Sequence, residues 1–156
     1  MSRILIRLML IFYLLSMSNF LITNNLGAIN EYAIIEIDGH KASTLRGFYE
    51  ELAEAMDFPE DFGYTLDSLD EMLSDLSWIE EQKIAVYISS SEYFIEKERN
   101  PEKLSTLLDM IDATCEDWKW EEDNDDYSKK ELLFVFSQSN RIKELLDKQE
   151  ISYRME

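Results

Sequence analysis

Three short apolar runs set the architecture open to this chain: Ala33-Ile34-Ile35-Glu36-Ile37, Ile84-Ala85-Val86-Tyr87-Ile88 and Leu132-Leu133-Phe134-Val135-Phe136. Each is brief and rich in branched or aromatic residues, the pattern of a buried strand. Asp38-Gly39 closes the first and Ser89-Ser90-Ser91 the second. Between them the apolar residues recur at helical spacing. Ser43 is placed to cap a helix carrying Leu45, Phe48, Tyr49, Leu52 and Met56. Asn100-Pro101 supplies an N-cap and a first-position proline for a longer helix with Leu104, Leu107, Leu108, Ile111, Cys115 and Trp118. A short helix is expected over Glu92–Arg99, and a last one from Arg141 to about Gln149 that packs Ile142, Leu145 and Leu146. Strands alternating with helices call for an α/β fold built on a parallel sheet with right-handed crossovers. No internal repeat of solenoid length is present.

Between the first two strands lies a second, shorter helix. Pro59 and Gly63 shape a turn-rich approach to it, and its faces divide cleanly. Leu66, Leu69, Met72, Leu73 and Leu76 share one side, while Asp67, Glu71, Ser74 and Asp75 share the other, with Asp70 at the edge. Gly63 is expected to take a left-handed turn, Thr65 to serve as N-cap, and Asp67 to sit at the positive end of the helix dipole.

The formal net charge is −18, and Arg3 and Arg7 are the sole charged side chains in residues 1–30, so the remainder carries −20. Such a field repels phosphate backbones and anionic lipid and speeds encounters with basic proteins. Nucleic acid is therefore excluded as a direct partner. Most of the scattered carboxylates read as a solvated surface. Cys115 is the one cysteine, which rules out an intramolecular disulfide or a multi-cysteine metal site, and its place on a helical pattern marks it as a core residue.

Residues 1–30 stand apart. Two arginines precede the run Leu8-Met9-Leu10-Ile11-Phe12-Tyr13-Leu14-Leu15, then come Ser16, Ser18 and Asn19, a second patch Phe20-Leu21-Ile22, and Asn24-Asn25-Leu26-Gly27-Ala28. The order follows that of a secretory signal. The uninterrupted run is too short to span a bilayer, although Leu8 to Ile22 could lie in or near one. An upstream extension omitted by a different start site, or an extra helix packed on the domain, fits as well. Any membrane contact is expected through this segment.

The chemistry of an enzyme is missing. In Asp123–Asp126 a calcium loop would need glycine and glutamate where Ser128 and Phe134 stand. The carboxylates of the acidic helix have no second wall in the sequence with which to work as an acid/base pair. No phosphate-cradling glycine loop, hydrolase elbow, zinc helix or cofactor lysine motif occurs. No catalytic residue, cofactor or metal is expected.

The segment Pro59 to Leu69 reads Pro-Glu-x-Phe-Gly-x-x-Leu-Asp-x-Leu, and with its flanking strands it resembles the barstar family of intracellular ribonuclease inhibitors. That family typically has Pro-Glu-Tyr-Tyr-Gly-x-Asn-Leu-Asp-Ala-Leu here, and the likeness covers about Tyr32 to Ser137. It implies a barstar-like α/β fold: a three-stranded parallel sheet packed against helices over residues 31–139. To this the chain adds an apolar segment over 1–30 and a C-terminal helix over 140–156.

The resemblance also implies a function, inhibition of a basic, barnase-type ribonuclease as an immunity or self-protection protein. In the family the acidic helix and the loop before it plug the nuclease active site, with carboxylates standing where substrate phosphate would bind. The barnase–barstar complex is itself a reference case for acidic hot spots and steered association. The partner-binding residues implied are Asp61, Phe62, Thr65, Asp67, Asp70, Glu71, Ser74 and Asp75. Asp67 keeps the family's first helix acid, Glu71 replaces its dominant aspartate with an arm one methylene longer, and Ser74 keeps a threonine's hydroxyl. Asp70 stands where the best-known member has tryptophan, and Asp61 and Thr65 where it has tyrosine and asparagine. These exchanges remove aromatic contact area and add charge, so a nuclease more basic than barnase is the expected target. The alternative is a regulatory module of the same fold whose partner is not a nuclease. The family's habit and the unpaired cysteine point to the cytoplasm, whereas a signal sequence would export the chain.

Overall fold

The computed structural model describes residues 2–16, 18–122 and 128–156; the acidic loop Asp123–Asp126 lies outside them. In chain order the elements are α1 (Arg3–Ser16), β1 (Phe20–Ile22), β2 (Ala33–Asp38), α2 (Leu45–Ala55), α3 (Leu66–Asp75) and β3 (Lys83–Ser89). They continue with α4 (Pro101–Trp120), β4 (Glu131–Phe136), α5 (Asn140–Lys148) and β5 (Arg154–Met155). Short 3₁₀ turns occur at Leu26–Ile29 and Ser91–Tyr93.

The three strands expected from the sequence form where read, but the sheet has five, and β2 is not the buried strand expected: it lies at the sheet edge with Ile37 its one buried residue and Ile34 exposed. The sheet order is β2-β3-β4-β1-β5, with every neighbouring pair parallel. β1 pairs with β4 in the register Phe20 to Phe134, Leu21 to Val135 and Ile22 to Phe136, and β5 joins its other edge. The apolar patch Phe20-Leu21-Ile22 thus lies inside the sheet. Asn19, just before it, is anchored to α4: its Nδ2 donates to Asp112 Oδ1 at 2.8 Å and lies 3.2 Å from Glu116 Oε2.

Pleating sorts the strand residues onto two faces. Phe20, Ile22, Ile84, Val86, Ile88, Leu132, Phe134 and Phe136 meet the apolar faces of α2, α3 and α4 in the main core. Leu21, Ala85, Tyr87, Leu133 and Val135 form a thinner layer with Ile29 and Tyr32. The buried indole N–H of Trp118 donates to the Leu73 carbonyl at 2.8 Å and joins α4 to α3. Lys130 is buried and donates to the carbonyls of Ile79 and Glu81. A Cβ at Gly39 would overlap the carbonyl oxygens of Ser89 and Ser90, so only glycine lets β2 turn so close to β3.

Two local expectations give way to tertiary contacts. Thr44, not Ser43, caps α2, its hydroxyl accepting from the Gly47 amide at 2.9 Å. The helix expected over Glu92–Arg99 is absent beyond the turn Ser91–Tyr93. There the amides of Ile95 and Lys97 donate to the carbonyls of Ala42 and Ser43, and Ile95 takes a left-handed φ of 52°.

Cys115 is buried, as its helical position implied, and burial together with the Asp112 charge pushes its thiol well above the ordinary range. Labelling by a thiol reagent at pH 8 should therefore run about a hundredfold slower in the native protein than in denaturant, because reaction waits on opening of the fold. Equal rates would mean that α4 is not seated as described.

Candidate functional site

The approach to α3 is built on aromatic packing. Phe58, Phe62 and Tyr64 close on one another, with ring centroids 4.9 Å apart for Phe58–Phe62 and 4.7 Å for Phe62–Tyr64. Tyr49 and Trp78 flank them edge-on, and the Arg46 guanidinium lies 4.2 Å above the Tyr64 ring. Phe62, expected at the partner surface, is only 6% exposed. It is the pin beneath the loop. Its ring needs burial more than contact with a partner, and the loop backbone is what it carries outward.

The left-handed residue of this loop is Tyr64, at φ 53°, and not Gly63. The Gly63 amide instead donates to Ser68 Oγ at 2.7 Å. Thr65 caps α3 as expected, its hydroxyl accepting from the Ser68 amide at 3.1 Å. At the far end Leu76 adopts φ 53° and returns its amide to the Met72 carbonyl, so the helix is closed at both ends.

Leu69, Met72, Leu73 and Leu76 are buried, which fixes the roll of α3. Asp67, Asp70, Glu71, Ser74 and Asp75 consequently face solvent, as do Asp61 and Thr65 on the loop. Among the described residues no side-chain hydrogen bond or ion pair engages Asp61, Asp67, Glu71 or Asp75. Asp70 differs. Its Oδ1 accepts from Thr114 on α4 at 3.0 Å and from Ser74 at 3.4 Å, while the residue as a whole stays exposed. Thr114 is a positioning residue that the sequence reading passed over. Its signal was a hydroxyl in the buried series Leu107, Ile111, Thr114, Trp118, where the helical period calls for an apolar side chain.

These carboxylates form a surface, not a cleft. A cavity of about 640 Å³ touches α3 at Leu66 and is otherwise lined by the N-terminal parts of α2 and α4 and the chain before each. A small hollow of about 90 Å³ beside Ser74 is lined by Thr114, Asp117, Trp118 and Glu121. Glu71 lines neither. Among the described residues no group of three or more His, Cys, Asp or Glu side chains is placed to hold a metal ion. What the stripe can do is accept charge-assisted hydrogen bonds from arginine, lysine or protonated histidine on another molecule.

A protein-family model described as barstar (barnase inhibitor) matches residues 32–146. The chain belongs to the barstar family. Proteins of this family are inhibitors and not enzymes, and the general role that membership implies is inhibition of a barnase-like ribonuclease. No curated protein matches the chain. The barstar span begins just before β2 and ends within α5, so its sheet strands are β2, β3 and β4. β1 and β5 come from sequence on either side of it.

Proposed function

We propose that this barstar-family chain blocks a basic ribonuclease by inserting α3 and the loop before it into the nuclease active site. Asp67 and Glu71 would stand where substrate phosphate binds, flanked by Asp61, Thr65, Asp70, Ser74 and Asp75. The observation that carries the reading is the pair Asp67 and Glu71: one turn apart, exposed, and unengaged within their own molecule on a helix held at both ends. With the helix backbone already ordered, docking has only the two carboxylate side chains to immobilise, which lowers the cost of forming the complex. Asp70, steadied by Thr114, adds an acid where the family's best-known member presents an aromatic ring, and with Asp61 it is the position that sets target choice. The setting is self-protection in the cytoplasm, beside the nuclease.

The test is titration of the chain into a basic ribonuclease that co-purifies with it. RNA cleavage should fall linearly and reach its floor at one equivalent. Full cleavage in the presence of a saturated complex, or capture of none but non-nuclease partners, would overturn the reading.

A further inference from the structure

We propose that α1 is an interfacial helix that seats this chain on the surface of a lipid bilayer carrying anionic headgroups. Residues 2–10 are exposed without exception, and Ile4, Leu5, Ile6, Leu8, Met9 and Leu10 range from 45% to 71% exposed. At 100° per residue, Arg3 and Arg7 lie one turn apart on a single narrow stripe, and these six side chains occupy the rest of the circumference. Apolar surface on that scale marks a contact site.

The arrangement selects the occupant. A helix with two arginines on one narrow stripe and apolar side chains over the remaining arc has a cationic side to set among anionic headgroups and an apolar side to bury among acyl chains. α1 has 14 residues, about 21 Å of helix, against a hydrocarbon core of about 30 Å. Among the described residues no helix is long and apolar enough to cross a membrane. α1 therefore lies along the interface. Its apolar arc sinks toward the acyl chains while the two arginines extend their stems and place their guanidinium groups among lipid phosphates. Charge points the same way, since residues 1–30 carry +2 while the remaining −20 is repelled by an anionic surface. Contact is thus confined to this end of the molecule.

The helix is also joined to the fold at short range. β1 begins four residues after Ser16 and lies between β4 and β5, with Phe20, Leu21 and Ile22 at most 1% exposed. Cleavage of a leader near Ala28 would excise this inner strand, so the geometry favours a segment that stays attached. The inference does not rest on the nuclease reading and places no demand on α3.

The experiment is flotation of the full chain with phosphatidylcholine vesicles containing about 30% phosphatidylglycerol, next to pure phosphatidylcholine. Most of the chain should float with the mixed vesicles and several-fold less with the neutral ones. Arg3→Glu with Arg7→Glu should erase that difference, and Leu5→Asp with Leu8→Asp should lower the floated fraction at least about tenfold. Thermal unfolding of both variants should match the parent, because these side chains are exposed. Three results would overturn the proposal: a parent chain that stays in solution, a lipid-free oligomer dispersed by Leu5→Asp with Leu8→Asp, or protein from the source cell whose first residue lies beyond Ser16.

Discussion

Phe20→Ala should destabilise the protein by about 3–5 kcal/mol, the range for deleting a phenylalanine ring from a packed core. Phe20 is fully buried, with its ring centroid 6.0 Å from that of Phe136 in a stacked pair and 6.4 Å from that of Phe134. It lies on the inner face of the sheet, in the main core, on a strand hydrogen-bonded on both sides. Truncation loses the transfer free energy of the ring and leaves a cavity that two paired strands hold open. Against a total stability of about 5–15 kcal/mol for a domain, a loss of that size moves the urea midpoint far toward zero. Phe20→Leu, which keeps most of the volume, should cost about 1–1.5 kcal/mol. Urea unfolding followed by far-ultraviolet circular dichroism measures both. An unchanged midpoint for Phe20→Ala would show that β1 is not part of the cooperative core.

That strand also marks where sequence reasoning ran out. β2, β3 and β4 were legible because each holds a five-residue stretch, apolar throughout in β3 and β4 and broken only by Glu36 in β2, that is long enough to show its period. β1 has three residues, too few for any period. It follows a basic start and an apolar run, so the same three side chains read equally well as the tail of a leader. β5 is two residues with no apolar pattern, and what places it is backbone pairing with β1, carried on by the Glu156 amide donating to the Ile22 carbonyl. The lost helix after β3 has a different cause. Its local propensity was sound, but Phe94 and Ile95 are buried and the amides of Ile95 and Lys97 are taken by Ala42 and Ser43. Tertiary pairing outweighed propensity.

At the candidate site, the division of α3 into buried and acidic faces was legible from spacing alone, as was the Thr65 cap. The inward turn of Phe62 was not, because it follows from rings supplied by Tyr49, Phe58 and Tyr64, which no local pattern records. The same holds for Thr114, which meets Asp70 across 44 residues of chain. Sequence periodicity reports which face a side chain occupies. Which distant group it meets is a property of the packed fold.

Asp67→Ala and Glu71→Ala should each weaken the complex with the target nuclease by about 2–5 kcal/mol, a loss of roughly 30-fold to several thousandfold in affinity. The magnitude is that for truncating one member of a buried, hydrogen-bonded charge pair, a range to which barnase–barstar itself contributes. It applies here because docking would desolvate a cationic site on the nuclease and leave it facing a methyl group. Both side chains are exposed and unengaged in the free protein, so the fold should hardly register the change. Asp67 carries one correction: it sits in the first turn of α3, where an anion stabilises the helix by about 0.3–1 kcal/mol. Asp70→Ala should behave differently, since it also leaves the buried Thr114 hydroxyl with the weak Met110 Sδ acceptor at 3.5 Å in place of a carboxylate, and so costs stability as well as affinity. Calorimetric titration paired with thermal unfolding separates the two effects. For the parent chain, raising salt from about 50 to 500 mM should slow association by ten-fold or more while dissociation changes little, because the acidic surface steers the encounter over a length that salt shortens. If both the Asp67 and Glu71 variants bind the nuclease as tightly as the parent, the contact is made elsewhere on the molecule and α3 is not the plug.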